Sequence, residues 1–112
     1  MILIDKSITK EELNDIAKGR FGNLVKGVVD VTKQIMVIDA NLHADEEAEL
    51  LSKGSSQADL WGINLYPDLD GEDFLEFDSM INLKPGSGNM SRGVDDPKIQ
   101  SQIRNIVNKL VK

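Results

Sequence analysis

Apolar residues change their spacing along this chain, and this change most constrains the fold. In "SITKEELNDIAKGRF" and in "DDPKIQSQIRNIVNKLVK" they recur at the period of an amphipathic helix. In "LVKGVVDV" and "DLWGINLYPD" they are β-branched or alternate with polar residues, which is typical of strands. Helices near both ends of the chain, with strands between them, predict an α+β domain.

Capping signals predict where three helices begin. Thr9 and Glu12 form a capping-box pattern ahead of the first helix. Asn41 is the expected N-cap of the second helix, whose early carboxylates suit the positive end of the helix dipole. Asp96 is the expected N-cap of the third helix, with Pro97 as its first residue.

Four strands in two hairpins are predicted around the second helix. The first pair covers about residues 24–31 and 35–40, and the second pair about 59–68 and 74–84. The last segment alternates over the greatest length, so we expect the longest strand there. The predicted order is α-β-β-α-β-β-α, with the helices on the apolar face of an antiparallel sheet. Residues 1–4 offer a possible short edge strand.

Composition narrows the class of protein. The 112 residues are 40% hydrophobic, which suits one globular domain over residues 1–112. Because 13 basic residues face 19 acidic ones, we expect no binding to duplex nucleic acid. The absence of cysteine fits a cytoplasmic protein. No stretch has the features of a signal peptide or the roughly 20 apolar residues of a membrane span, so we expect a soluble protein.

Four stretches, in this order, resemble a family of small prokaryotic proteins of unknown function: "NLHADEEAELL", "DLWGINLYPD", "FLEFDSMINLKP" and "NMSRGVDDP". The resemblance spans nearly the whole chain. It implies a single small α+β domain in the cytoplasm. It supplies no activity, cofactor or catalytic residue, so any site has to be argued from the residues themselves.

A glycine-rich loop, within "NLKPGSGNMSRGVDDPKI", is the first candidate site. Its backbone N–H groups could face an anion beside the start of the last helix, and an arginine in it could pair with an oxyanion. A polar connection without a ligand explains the same composition, and the spacing is not that of a P-loop. The residues predicted to bind an anion or phosphate are Gly86, Ser87, Gly88, Asn89, Ser91, Arg92 and Gly93.

Two carboxylates on the predicted last strand are the second candidate. Glu76 and Asp78 would lie about 7 Å apart on the polar face of the sheet, with Asn64 and Tyr66 on the neighbouring strand. Such a pair could hold a hard divalent cation such as Mg²⁺. A solvent-facing sheet surface accounts for the same residues.

The single histidine, His43, is the third candidate. It stands close in sequence to Asp39, Asp45, Glu46 and Glu47, and in such company it could titrate near neutral pH or join a metal site. No second histidine or cysteine stands at ligand spacing. The helix dipole by itself explains the carboxylates.

Two functions remain open from the sequence. The first is a non-catalytic binding or interaction module that holds a protein or a small anionic ligand on the polar sheet face and the glycine-rich loop. The alternative is a Mg²⁺-dependent phosphoryl-transfer or phosphodiester hydrolase activity, with Glu76 and Asp78 as metal ligands and Lys84 or Arg92 as charge stabiliser. The sequence identifies no cofactor and no oligomeric state.

Overall fold

The computed structural model describes all 112 residues of the chain. The strands are β1 (Ile2–Ile4), β2 (Val25–Asp30), β3 (Ile35–Ile38), β4 (Leu60–Leu65) and β5 (Leu75–Glu76), and the helices are α1 (Lys10–Gly19), α2 (His43–Ser52) and α3 (Pro97–Leu110). They form one antiparallel sheet in the order β1-β3-β2-β4-β5. The predicted α+β class with three helices is confirmed.

The sheet has five strands, so the predicted number of four is wrong. The possible N-terminal edge strand forms, because Ile2 pairs with Ile38 and Ile4 with Met36 across β1 and β3. This pairing satisfies main-chain groups that β3 would otherwise leave open at its outer side. Ile4 also turns into the core, where it is buried.

The predicted long strand over residues 74–84 is also wrong. Only Leu75 and Glu76 pair with β4, and the chain then enters a short 3-10 turn at Met80–Asn82. The alternation has a different cause, because Phe77 packs against the apolar cluster on one side of the sheet and Ile81 against the cluster on the other side. The segment therefore crosses the sheet edge and does not extend the sheet.

Apolar side chains cover both faces of the sheet. The larger cluster joins β2 and β4, through residues such as Val29 and Ile63, to α1 and α3. The smaller cluster lies under α2 and consists of Val28, Val37, Leu50 and Leu60. The face expected to be polar and wet is thus largely covered by α2. This covering leaves the far end of the same face, beside β5, available for a site.

Two of the three predicted helix starts are confirmed. Thr9 and Glu12 form the reciprocal capping box, and the Asp96 side chain accepts a hydrogen bond from the Lys98 N–H. The N-cap of α2 is Leu42, whose side chain makes no capping bond, so the prediction of Asn41 is wrong.

Candidate functional site

A cleft of about 500 Å³ opens where β4, β5 and the start of α2 meet the segment after β5. This cleft brings together residues of all three predicted candidate sites, although these residues are far apart in sequence. The candidates that line it are His43, Asn64, Tyr66, Glu76, Asp78 and Arg92. Its volume lies within the range of small-molecule sites.

A row of polar side chains crosses three strands at the floor of the cleft. Lys26 on β2 is the register partner of Asn64 on β4, and Asn64 is the partner of Glu76 on β5. Directly opposed residues project from the same face, so the three side chains are neighbours. Lys26 was not predicted as a site residue, although a lysine within an apolar strand was an available signal.

Glu76 is held in place by two donors. Asn64 Nδ2 and the Tyr66 hydroxyl both donate to Glu76 Oε1, each at 2.9 Å. Burial and the Glu76 carboxylate raise the pKa of Tyr66, so the phenol keeps its proton and remains a donor. Glu76 Oε2 has no partner within the protein.

Asn64 carries a buried acceptor that nothing satisfies. The residue is only 7% exposed, and its Oδ1 has no hydrogen-bond partner. The amide orientation follows from chemistry, because Nδ2 contacts Glu76 Oε1 and the Asp78 carbonyl, and both of these groups accept. A buried acceptor left unpaired costs about 1 to 3 kcal/mol, and such an atom in a cleft wall suits a ligand donor.

His43 lies in the wall as a neutral imidazole. Its Nε2 donates to the Ile63 carbonyl at 2.8 Å, which leaves Nδ1 as an acceptor. Burial lowers the pKa of His43, outweighing the hydrogen bond to the Ile63 carbonyl that favours the charged form, and the positive charge of Lys26 lowers it further.

The acidic neighbours that the sequence suggested for His43 lie elsewhere. Asp39 pairs with Arg20 at 2.6 Å, and both Asp39 and Asp45 line a different cavity. Glu46 is fully buried, and its Oε2 accepts a hydrogen bond from a main-chain amide of the β3–α2 connection. Asp39, Asp45 and Glu46 therefore contact other parts of the protein, and Glu47, one turn along α2 from His43, does not line the cleft.

Asn82 replaces the missing strand beside the other half of β4. The Gly62 N–H donates to Asn82 Oδ1 at 2.8 Å, and Asn82 Nδ2 donates back to the Gly62 carbonyl at 3.0 Å. A side-chain amide thus pairs with Gly62 as a peptide group of a strand would. Asn82 Nδ2 also donates to the Arg92 carbonyl at 2.9 Å, which fixes the loop that carries this arginine.

The glycine-rich loop folds around Asn89. The Asn89 Nδ2 donates to the Gly93 carbonyl at 2.9 Å, and its Oδ1 accepts from the Asp95 N–H at 2.7 Å. The Asp95 carboxylate accepts from the Ser91 hydroxyl and the Met90 N–H, and these bonds lower the pKa of Asp95. The chain's own carboxylate therefore occupies part of the loop that was predicted to face an anion.

The loop contributes only one of the predicted anion-binding residues to the cleft. Arg92 lines it and donates from Nε to Asp78 Oδ1 at 2.8 Å, while its two terminal nitrogens form no hydrogen bond within the protein. Gly86 and Ser87 line a separate cavity of about 210 Å³. Anion binding by the loop stays a prediction.

Glu76 and Asp78 both line the cleft, but only Glu76 belongs to a strand. No group of three or more histidine, aspartate or glutamate side chains is arranged to hold a metal ion. Asp78 is also partly neutralised by Arg92. Metal binding by the two carboxylates stays a prediction.

A protein-family model matches residues 2–110 of the chain. The chain belongs to DUF5674. This family is described as protein of unknown function, and the match confirms the resemblance read from the sequence, while its prokaryotic character stays a prediction. No curated protein and no solved structure matches the chain. None of the helices is both long and apolar enough to cross a membrane.

Proposed function

We propose that this protein is a non-catalytic binding module and that the cleft beside β5 is its ligand site. The observation that carries the proposal is Asn64 Oδ1, a buried acceptor without a partner in the cleft wall. Polar groups that are nine-tenths buried are almost always paired in folded proteins. A ligand that donates a hydrogen bond to this atom removes the penalty, and binding gains the corresponding free energy.

The hydrogen bonds that His43 and Ser79 already make within the protein support binding over catalysis. His43 Nε2 is engaged by the Ile63 carbonyl. The Ser79 hydroxyl accepts from the Ile81 N–H at 3.3 Å and has no hydrogen bond to His43. A serine nucleophile needs a base within hydrogen-bond reach, and these contacts provide none.

The alternative function is Mg²⁺-dependent phosphoryl transfer or phosphodiester hydrolysis. One observation favours it, because Glu76, Asp78 and Arg92 meet in the same cleft, as a site with two oxygen ligands and a cation requires. The pairing of Asp78 with Arg92 weighs against it, since the arginine competes with a metal ion for the carboxylate.

The binding proposal is tested by following the Asn64 side-chain amide and the backbone amides by NMR during titration with inorganic phosphate, AMP and free amino acids. We expect at least one probe to shift Asn64 and its neighbours in the cleft. Arg92→Ala should weaken that binding. Arg20→Ala is the matched control, because Arg20 makes the same Nε–Oδ1 contact with Asp39 outside the cleft. Equal losses in both variants, or shifts confined to other surfaces, would contradict the proposal.

A further inference from the structure

The unpaired groups of the cleft carry both signs of charge. Lys26 forms no ion pair within the protein and lies 5.2 Å from the centre of the Phe21 ring, while Arg92 uses only Nε. The free acceptors are Asn64 Oδ1 and one oxygen each of Glu76 and Asp78. Two cations and two carboxylates balance, and His43 is neutral, so neither a pure anion nor a pure cation matches the lining.

The charges are separated along the row that crosses the sheet. Lys26 and Glu76 stand one strand to either side of Asn64, so their backbones lie roughly 10 Å apart at about 5 Å per pair of opposed residues. Two charge-assisted hydrogen bonds of about 2.8 Å each leave room between them for the short backbone of an α-amino acid. The flexible lysine side chain adjusts the remainder. The Asn64 side chain lies between the two ends of the row.

Apolar side chains flank this row. Leu42 is 56% exposed and Met80 is 62% exposed, although both line the cleft beside the half-buried Leu24. Covering such side chains is favourable by about 25 cal/mol for each Å² removed from water. The ligand that this rim fits has an apolar side chain attached to its charged end.

We propose that the cleft binds a free α-amino acid with an apolar side chain, an assignment that rests on the proposed function of the cleft. The ligand carboxylate pairs with Lys26 at one end of the row. The ligand ammonium donates to Asn64 Oδ1 and to Glu76 Oε2. The apolar side chain covers Leu42 and its neighbours at the rim.

The first test compares three matched probes by NMR titration of the full chain: L-leucine, isocaproate, which lacks the ammonium group, and isoamylamine, which lacks the carboxylate. Each lost charge-assisted contact should weaken binding by about tenfold to hundredfold, so leucine should bind tighter than both analogues. Equal affinity of leucine and either analogue would overturn the proposal.

The second test assigns each end of the ligand to a residue. Lys26→Met should abolish the preference for leucine over isoamylamine and keep its preference over isocaproate, while Glu76→Gln should do the reverse. Lys33→Met and Glu72→Gln, which change residues outside the cleft, are the matched controls and should leave both preferences intact. If Lys26→Met and Glu76→Gln both keep the two preferences for leucine, the assignment of the ligand's ends is contradicted.

The experiments distinguish a wrong ligand class from the absence of any binding site in the cleft. If phosphate or AMP shifts the Asn64 amide and leucine does not, the amino-acid assignment is overturned and the binding function of the cleft stands. If no probe shifts any residue of the cleft at millimolar concentration, both are overturned.

Discussion

Glu46 should make the stability of this fold depend strongly on pH. Its side chain is fully buried on α2, with Oε2 accepting from the Ala40 N–H at 3.2 Å and Oε1 without a partner. Burial raises its pKa from 4.5 to about 9, and this outweighs the Ala40 hydrogen bond and the positive charge of Lys26. The folded protein therefore holds this carboxyl in its neutral form at neutral pH.

The sign and size of the effect follow from linkage. Between pH 4.5 and about 9 the folded state keeps a proton that the unfolded state has lost, so the stabilisation is complete below pH 4.5 and disappears as the pH rises toward 9. The slope is at most about 1.4 kcal/mol per pH unit, which amounts to up to about 3 kcal/mol over two units around neutrality. Glu46→Gln preserves the shape of the neutral side chain and has no proton to lose.

The assay is urea denaturation, followed by Trp61 fluorescence, over a series of pH values from about 4.5 to 8. The free energy of unfolding of Glu46→Gln, relative to wild type, should rise steadily with pH by at most about 1.4 kcal/mol per pH unit. Glu49→Gln, on the same helix and paired with Lys53 at its surface, is the control and should track the wild-type slope. A constant difference between Glu46→Gln and wild type across this range would refute the reasoning.

Three further predictions concern the edge of β4 and the carboxylates. Asn82→Ala should lower the free energy of unfolding by about 3 kcal/mol or more in urea denaturation, because it leaves the buried main-chain groups of Gly62 unpaired; a loss below about 1 kcal/mol would contradict this. Gly62→Ala should cost about 1 to 3 kcal/mol in the same assay, because a Cβ there would lie 2.5 Å from the Ser79 Cβ, and adding Ser79→Gly should recover part of the loss. Titration with Mg²⁺, followed by NMR, tests the alternative function. Shifts around Glu76 and Asp78 that vanish in Glu76→Gln/Asp78→Asn would support a metal site. We expect no shift at millimolar Mg²⁺, because Arg92 holds Asp78, and that result would exclude the metal site.

Features that depend on neighbours in sequence were predictable. The capping box of α1 joins residues three positions apart, and the Asp96 cap contacts an amide two positions on. The stripe of α3 and the β-branched runs of β2 and β3 likewise follow from a period that a short window contains. These elements form where the local pattern indicates them.

The end of β5 was not predictable, because two structures satisfy the same alternation. A long strand would place Phe77 and Ile81 on one face, whereas a segment that crosses the sheet edge buries them on opposite faces. The choice depends on the partner of Gly62, which is the Asn82 side chain twenty positions along the chain. Hydrophobic periodicity is detected in short stretches of sequence, and no such stretch contains both Gly62 and Asn82.

The sequence by itself determined the three helices and the β-branched runs that form strands. It also identified most members of the candidate site, among them His43, Glu76 and Arg92. Only the tertiary structure decided that these residues share one cleft and that Lys26 belongs with them. The physical reason is that cross-strand register and the early end of β5 fix these positions. Both depend on contacts between segments distant in the chain, and a local pattern of residues does not encode the partner of such a contact.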